Sequence, residues 1–208
     1  MCEGIWLKTV RSARVRTSPE RDGIVQLLLS RLGSPLGDLL LVTDAERNIR
    51  ALDFGTHEAH LRRGLREHYG SGAVLTEASV PTEVALAIAG YFSGELSAID
   101  SLPTATGGSD LQRRVWDALR RIPAGTTTTY GKLARELGFD DPRAAVDVGA
   151  ANGANPIAIV VPCHRVIASN GELKGYAWGL HRKRWLLEHE KAIPPERAAP
   201  QVARLPGF

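Results

Sequence analysis

A stretch rich in glycine, proline, serine and threonine, residues 94–109, divides the chain into two parts with different hydrophobic patterns. Before it come three short apolar runs, residues 25–30, 39–43 and 49–54, separated by turn-forming residues, which is typical of an antiparallel meander. After it, apolar residues recur every three or four positions, which predicts helices. We therefore expect an α+β fold, with a small antiparallel-sheet N-terminal domain followed by a mostly helical C-terminal domain.

Further patterns predict the remaining organisation of the chain. Leu61, Leu65 and Tyr69 recur every four residues and predict a helix in the first part, and residues 81–91 predict a second one. Both ends of the chain are polar or rich in proline and alanine and lack periodicity. We expect four parts in order: a flexible tail at residues 1–23, an N-terminal α/β domain at 24–100, a helical domain at 109–193 and a loose tail at 194–208.

Composition and charge exclude several classes of protein. No apolar run approaches the roughly 20 residues that span a bilayer, and the first residues lack the apolar stretch of a secretory signal, so we expect a cytoplasmic protein without a membrane partner. Two cysteines in 208 residues cannot form a disulfide framework, and Cys163 is expected to be a free thiol. Residues 1–109 carry a net charge of −2 and residues 110–208 one of +5, so a phosphate-facing surface would lie in the second part.

Two short predicted helices in the second part form a helix-turn-helix. Thr129 can cap a helix over residues 130–137, and Asp141 and Pro142 begin another that runs to about residue 152. Such a pair is more often a packing motif than a DNA-binding one, so it needs support from other residues. The second helix gives some support, because three small residues would let it approach a groove closely: Gly149, Ala150 and Ala151.

A β-branched run, residues 157–161, predicts a buried strand that ends at Pro162, Cys163 and His164. A cysteine beside a histidine is weak evidence by itself, because neighbouring side chains on a strand point to opposite faces and a lone buried cysteine is usually inert. A strand end, however, can hold a side chain at the floor of a pocket. An imidazole acting as base, directly or through water, and a carboxylate that fixes its tautomer would favour the thiolate, and Glu190 is a candidate for that carboxylate.

Several motifs around this cysteine occur in one order. Together they resemble the O6-alkylguanine-DNA alkyltransferase family over residues 111–190, and residues 34–39 are similar to the opening strand of the family's N-terminal domain. The motifs are Ile159-Val160-Val161-Pro162-Cys163-His164-Arg165-Val166-Ile167, Val115-Trp116-Asp117-Ala118-Leu119, Ile122-Pro123-Ala124-Gly125, Thr129-Tyr130-Gly131-Lys132-Leu133-Ala134, Asn155-Pro156, Gly175-Tyr176-Ala177-Trp178-Gly179-Leu180, and residues 183–190.

The resemblance implies a DNA repair activity and a role for each matched residue. Family members flip the damaged nucleotide out of the duplex, because an alkylated oxygen inside the stack is out of reach. Cys163 matches the nucleophile that takes the alkyl group permanently, so each molecule would act once. His164 and Glu190, with a water, match the groups that draw the proton from the thiol, and Asn155 matches the residue that braces the turn beside the cysteine.

The resemblance also implies how double-stranded DNA containing alkylated guanine would be bound. The second helix of the helix-turn-helix would enter the minor groove, and Tyr130 would crowd the target phosphate. Main-chain groups of Cys163 and Val166, with the loop Tyr176, Ala177 and Trp178, would form the guanine pocket. The residues expected to contact DNA are Thr129, Tyr130, Arg143, Val146, Gly149, Ala150, Ala151 and Arg165.

Two positions depart from the family pattern. Val146, followed by Asp147, stands where the family has an arginine that fills the gap left by the flipped base. An apolar wedge can occupy an opened base step, so Val146 would substitute in part, and Arg143 one turn earlier would compensate for the acidic neighbour. Trp178 stands where some members have glycine, which predicts a narrower pocket and faster reaction with methyl than with benzyl adducts.

The resemblance implies no metal, nucleotide or cosubstrate, and we expect a monomer. The first part of the chain contains Cys2, His57, His60 and His68, but the spacing of the three histidines favours one amphipathic helix over a zinc site. One alternative is an alkyltransferase-like protein that binds the lesion with weak or no repair, because the arginine is missing. Another is a thiol hydrolase, which would need an oxyanion site that no motif marks. The sequence leaves activity on O4-alkylthymine open.

Overall fold

A computed structural model describes residues 25–196. The predicted tail at 1–23, Cys2 and most of the predicted tail at 194–208 lie outside these residues. The N-terminal half, residues 25–106, contains a four-stranded sheet. Its strands are β1 Val25–Leu32, β2 Leu39–Thr43, β3 Ile49–Phe54 and β4 Ala73–Glu77. They lie in the order β3-β2-β1-β4.

The first three strands form the predicted antiparallel meander, and the fourth strand adds a parallel pair. The sequence analysis missed β4, which pairs with β1 at the edge of the sheet and has mostly exposed side chains. An edge strand of five residues with one half-covered face carries too short an alternation to be recognised from sequence. The α+β class is confirmed, with a sheet that is mixed rather than wholly antiparallel.

Six α-helices lie within residues 25–196, and each predicted helix is present with ends within a few residues. Ser109 begins the third helix with a capping box: its hydroxyl accepts from the Gln112 N–H, while the Gln112 side chain accepts from the Ser109 N–H. In this part of the chain no helix is long and apolar enough to cross a membrane. The helices are α1 Glu58–Tyr69, α2 Thr82–Phe92, α3 Asp110–Arg120, α4 Tyr130–Glu136, α5 Ala144–Gly153 and α6 Leu180–His189.

Both faces of the sheet are covered, each by a different part of the chain. On β2, Leu40 and Val42 pack against α1, whereas Leu39 and Leu41 join a core shared with the C-terminal half, residues 110–196. This follows from the alternation of side chains along a strand. One face of the sheet therefore packs against α1, and the other face packs into the core that is shared with the C-terminal half.

The segment interpreted as a linker is packed into this shared core. Ile99 and Leu102 are buried in it, and Ile49 at the start of β3 exchanges main-chain hydrogen bonds with Pro103 and Ala105, of 2.8 and 3.0 Å. Because burying one large aliphatic side chain stabilises a protein by about 1.5–3 kcal/mol, this segment holds the two halves together rather than spacing them apart. The domain boundaries themselves stay a prediction.

The prediction of a strand over residues 157–161 is wrong. Ile157 makes one bridge to Leu52, after which the chain folds into a buried turn in which the Val161 N–H donates to the Ile157 carbonyl. Ile159 adopts a φ of 68°, a conformation that β-branched residues rarely accept. The run is β-branched because it is buried, not because it pairs with a strand. The strand that comes after this run is β6 Val166–Ile167, which forms a short parallel pair with β5 Thr128–Thr129.

Candidate active site

The buried turn places Cys163 beside the side chain of Asn155. Cys163 is 2% exposed and begins a 3-10 turn, Cys163–Arg165. The Asn155 amide nitrogen donates to the Val161 carbonyl at 2.8 Å and lies 3.1 Å from the Cys163 sulfur, while its oxygen accepts from the Ile157 N–H at 3.0 Å. A single side chain thus supplies the hydrogen bonds that a strand ladder would have made, and it fixes the sulfur.

His164 and Glu190 meet in the interior, 26 residues apart in sequence. The His164 Nε2 lies 3.0 Å from Glu190 Oε1, and both side chains are fully buried. Burial lowers the pKa of His164 although the Glu190 carboxylate opposes the change. Burial acts to raise the pKa of Glu190, but the hydrogen bonds from His164 and Arg165 and the charge of Arg165 outweigh it and hold that pKa below its usual value. The resting pair is therefore a neutral imidazole and a carboxylate.

This pairing leaves one basic nitrogen on His164. A carboxylate can only accept a hydrogen bond, so Nε2 carries the ring proton and Nδ1 keeps its lone pair. Nδ1 is buried and has no hydrogen-bond partner among the residues that the structure describes. The residue next to the thiol therefore offers a buried proton acceptor whose tautomer is set by Glu190.

The charge state of Cys163 is set by burial and by Lys183. Burial raises the pKa of the Cys163 thiol to about 11, against the opposing effects of the Asn155 amide and the Lys183 ammonium. Lys183 is fully buried, donates to the Val166 carbonyl at 2.7 Å and to the Lys174 carbonyl at 2.5 Å, and has a pKa lowered by burial to about 8. At neutral pH the thiol is protonated at rest, so a nucleophilic sulfur requires a base at the moment of reaction.

The predicted contact of Arg165 with DNA is wrong. Arg165 is 2% exposed, and its guanidinium donates to both oxygens of Glu190, at 2.9 and 2.8 Å, and to the Ile122 carbonyl. A buried carboxylate is stable only if its charge is paired, and Arg165 supplies the compensating charge. Tyr91 completes the arrangement, because its hydroxyl donates to Glu190 at 2.8 Å.

The predicted pocket residues lie in different environments. Val166 is buried at the start of β6, and Tyr176 lies against His164 with ring centroids 6.5 Å apart. Ala177 is exposed. The Trp178 indole faces the N-terminal half, where its Nε1 donates to Asp53 at 2.5 Å. The part of this loop that reaches the reacting groups is therefore Tyr176.

Tyr130 lies between the helix-turn-helix and this loop. It is the first residue of α4, whose N-terminus is capped by the Thr129 hydroxyl, and its own hydroxyl donates to the Lys174 carbonyl at 3.4 Å. Burial, and then the nearby Cys163, raise the pKa of Tyr130. Gly175 has a φ of 61°, and a Cβ there would come within 2.9 Å of the Tyr130 hydroxyl, so only glycine fits.

The outer face of helix α5 is exposed to solvent. Val146 is 74% exposed, the Arg143 side chain just before the helix is 94% exposed, and Ala150 is exposed. A Cβ at Gly149 would contact the Tyr130 ring at 3.6 Å. Ala151, in contrast, is buried and its carbonyl accepts from the Trp116 indole, so the prediction that it faces a groove is wrong: it lies on the inner face of the helix.

Two family models match the two halves of the chain. Residues 27–106 match the ribonuclease-like domain of 6-O-methylguanine DNA methyltransferase, and residues 110–192 match its DNA binding domain. The chain belongs to this methyltransferase family. A methylated-DNA–protein-cysteine methyltransferase of Salmonella typhimurium is 48% identical over 168 residues, which are 80% of this chain and 97% of the relative. One of Methanosarcina acetivorans is 40% identical over 157 residues, 76% and 94% of the two chains.

Solved structures agree with this assignment to the 6-O-methylguanine DNA methyltransferase family. The crystal structure of Mycobacterium tuberculosis OGT in complex with DNA matches with a TM-score of 0.64 and 36% identity, over 79% of this chain and 93% of that one. The prediction of a methylated-DNA–protein-cysteine methyltransferase, a DNA alkyl repair protein, is confirmed at the level of the family.

Sequence reasoning missed four residues that the structure joins to the site: Lys183, Arg165 in its buried role, Tyr91 and Asp53. Lys183 carried a signal, because Lys183, Leu187 and Glu190 recur at the spacing of one helix face and Leu187 is apolar. The other three had none, since each meets its partner only through the tertiary fold. The described residues contain no group of three or more histidine, cysteine, aspartate or glutamate side chains placed to hold a metal ion.

Proposed function

We propose that this protein transfers the alkyl group of O6-alkylguanine in double-stranded DNA to Cys163, irreversibly and once per molecule. The alkyl carbon–O6 bond breaks as the carbon–sulfur bond forms, and the thiol proton passes to His164. The guanine leaves with the electron pair of the broken bond and takes up a proton in place of the alkyl group. Enzymes do not readily hydrolyse a thioether, so the alkylated protein is an end product. Atoms and charge balance without a metal, nucleotide or cosubstrate.

The observation that carries this proposal is the buried pair of His164 and Glu190 next to a protonated thiol. The pKa of Cys163 is about 11, so the thiolate must be generated inside the site. His164 keeps a free lone pair at Nδ1 and can accept that proton, directly or through a water, while the Glu190 carboxylate stabilises the imidazolium that results. The Lys183 ammonium also favours the thiolate, because its charge opposes the effect of burial on the pKa of the thiol.

The burial of Cys163 supports nucleotide flipping. Cys163 is 2% exposed, so its sulfur cannot reach an alkyl group inside a base stack, and the lesion must leave the duplex and enter the protein. We propose that α5 enters the minor groove with Val146 as an apolar wedge in the opened base step, that Tyr130 crowds the target phosphate, and that Arg143 contacts the backbone. Thr129, Gly149 and Ala150 would complete this surface.

The remaining finer proposals concern the setting of the reaction. Cys163, Asn155, His164 and Glu190 meet within one fold and need no residue from a second copy, so we propose a monomer. A free thiol as nucleophile supports a reducing, cytoplasmic location. We also propose the division into an N-terminal domain at 24–100 and a catalytic domain at 109–193. The expected preference for methyl over benzyl adducts loses its basis, because the Trp178 indole is bound to Asp53 in the N-terminal half.

A second candidate function is lesion binding with weak or no repair. The observation that favours it is the exposed pair Val146 and Asp147 on α5, which offers neither the charge nor the hydrogen bonds of the arginine found in the family pattern. The intact set of Cys163, Asn155 and His164 favours repair instead, because a protein that only binds has no need of a positioned base. A thiol hydrolase is the third reading.

The test is the intact mass of the protein after incubation with duplex DNA containing O6-methylguanine. We expect a gain of one methyl group, mapped to Cys163 by peptide sequencing and absent from Cys163→Ala, which should still bind the lesion. Binding of the wild-type protein without a change in mass would establish the lesion-binding reading. Repeated cleavage of an ester substrate would establish the hydrolase.

A further inference from the structure

Asp53 at the end of β3 is a carboxylate with no access to solvent. It is 1% exposed, and its Oδ1 accepts from the Phe54 N–H at 2.7 Å and from the Trp178 indole at 2.5 Å. Its Oδ2 lies 2.7 Å from the Nδ1 of His60. Two of these partners lie in the N-terminal half, and the third belongs to the loop beside Cys163. The shortest of the three bonds is thus the one that crosses between the halves.

A second set of contacts holds the same loop from the other side. The Arg182 guanidinium donates to the Trp178 carbonyl at 3.0 Å and to the Thr56 hydroxyl at 3.1 Å, and it lies 4.3 Å from the centroid of the Phe54 ring. Trp178 is therefore tied to residues 53–56 through both its side chain and its main chain. Its ring also packs edge-on against Phe54 and His60.

Contacts continue from Trp178 to the proton acceptor. The rings of Trp178 and Tyr176 are 5.0 Å apart, and the ring of Tyr176 is 6.5 Å from that of His164. The opposite end of the loop is held separately, because Lys183 donates to the Lys174 carbonyl. The loop thus has one anchor in the catalytic half and one at Asp53.

We propose that Asp53 is a positioning residue for alkyl transfer: by binding the Trp178 indole it holds Tyr176 against His164, the proton acceptor for Cys163. This inference rests on the proposed function of Cys163 and extends it to the N-terminal half. Without the carboxylate, the indole N–H would be buried and unpaired, and the loop would shift to find another acceptor. A displacement of about 1 Å at a reacting group can lower a rate by up to about a hundredfold.

The test compares Asp53→Leu with Asp44→Leu. Asp44 is also a buried carboxylate of the N-terminal half, and it binds Arg50 and Asn48 rather than the loop. We expect Asp53→Leu to lower the single-turnover rate of methyl transfer at saturating duplex about tenfold or more, Asp53→Asn to recover most of that loss because it keeps an acceptor oxygen, and Asp44→Leu to react like the wild type.

A spectroscopic readout separates positioning from general destabilisation. In a protein labelled with ¹⁵N-tryptophan, the Trp178 indole proton should lose its downfield shift in Asp53→Leu and retain it in Asp44→Leu. If Asp53→Leu does not fold, Trp178→Phe removes the same hydrogen bond and keeps a ring. Equal rates for Asp53→Leu, or for that substitute, and Asp44→Leu would overturn the inference. A wild-type protein without any transfer would instead refute the proposed function.

Discussion

At the scale of single residues, the site depends on how Glu190 is neutralised. Three side chains bind its carboxylate: His164, Arg165 and Tyr91. Because Arg165 carries the compensating charge, His164 is free to remain neutral and to act as the base. Burial, and then the charge of the same carboxylate, raise the pKa of Tyr91, so its hydroxyl keeps its proton and remains a donor.

This arrangement predicts that Glu190 stabilises the protein in a pH-dependent way. A carboxylate whose folded pKa is depressed contributes stability above its unfolded pKa of about 4.3 and loses that contribution as pH falls. We expect Glu190→Gln to lower the free energy of unfolding at pH 7 by about 3–5 kcal/mol, because it leaves Arg165 unpaired, and the deficit to shrink below about pH 4. Urea denaturation between pH 3 and pH 8 measures this.

The matched control for this prediction is Glu188→Gln, near the end of α6. Glu188 is half-buried, lies 3.7 Å from Arg184 and accepts from the Glu196 N–H, and glutamine keeps an acceptor oxygen, so the substitution should cost no more than about 1 kcal/mol. A deficit of Glu190→Gln that is as large at pH 3 as at pH 7 would contradict the assignment of an ionised Glu190.

At the scale of elements, the proposed opening of DNA depends on helix α5. Its inner face packs on α3 and α4, where Val148 and Ala151 are buried, and its outer face offers Val146. An apolar side chain can fill an opened base step but cannot hydrogen-bond to the unpaired partner base. We therefore expect base flipping to be the weak step of this protein, while the site around Cys163 is complete.

The substitution Val146→Arg tests this weakness. We expect it to raise the rate of methyl transfer from duplex DNA roughly tenfold, the effect of one hydrogen bond from a charged group, and to leave the reaction with free O6-methylguanine base unchanged. Leu86→Arg is the matched control, since Leu86 is also an exposed apolar residue on a helix, 67% exposed. Equal acceleration by both variants would attribute the effect to net charge, and no acceleration by Val146→Arg would refute the proposed role of α5.

The elements also show where sequence reasoning succeeds. A helix with a capping residue, such as α4 with Thr129, was predicted with ends within a few residues. The run at residues 157–161 was predicted to be a strand but forms a buried turn. Buried β-branched residues are common in strands, so the composition of the run favoured the wrong element. Only the hydrogen bonds of Asn155 distinguish the two, and they depend on an orientation that no local pattern encodes.

At the scale of the molecule, the two halves share one core, and the site draws on both. Motifs in sequence order were enough to predict Cys163, His164 and Glu190 together, because the resemblance carries their tertiary relationship with it. They could not predict the bond of Asp53 to Trp178, which joins side chains 125 residues apart. The sequence pattern thus predicted the proposed reacting groups, whereas the contacts that hold them in place depend on the tertiary fold.

The proposed function requires Cys163 to be a single-use acceptor, and the stoichiometry of transfer tests this requirement most directly. Increasing amounts of duplex carrying O6-[³H]methylguanine are added to a fixed amount of protein, and the label bound to protein is counted after digestion. We expect saturation at one methyl group per chain, all of it on Cys163, with no further repair of added duplex. Repair that continues beyond one equivalent, or label that remains in Cys163→Ala, would contradict it.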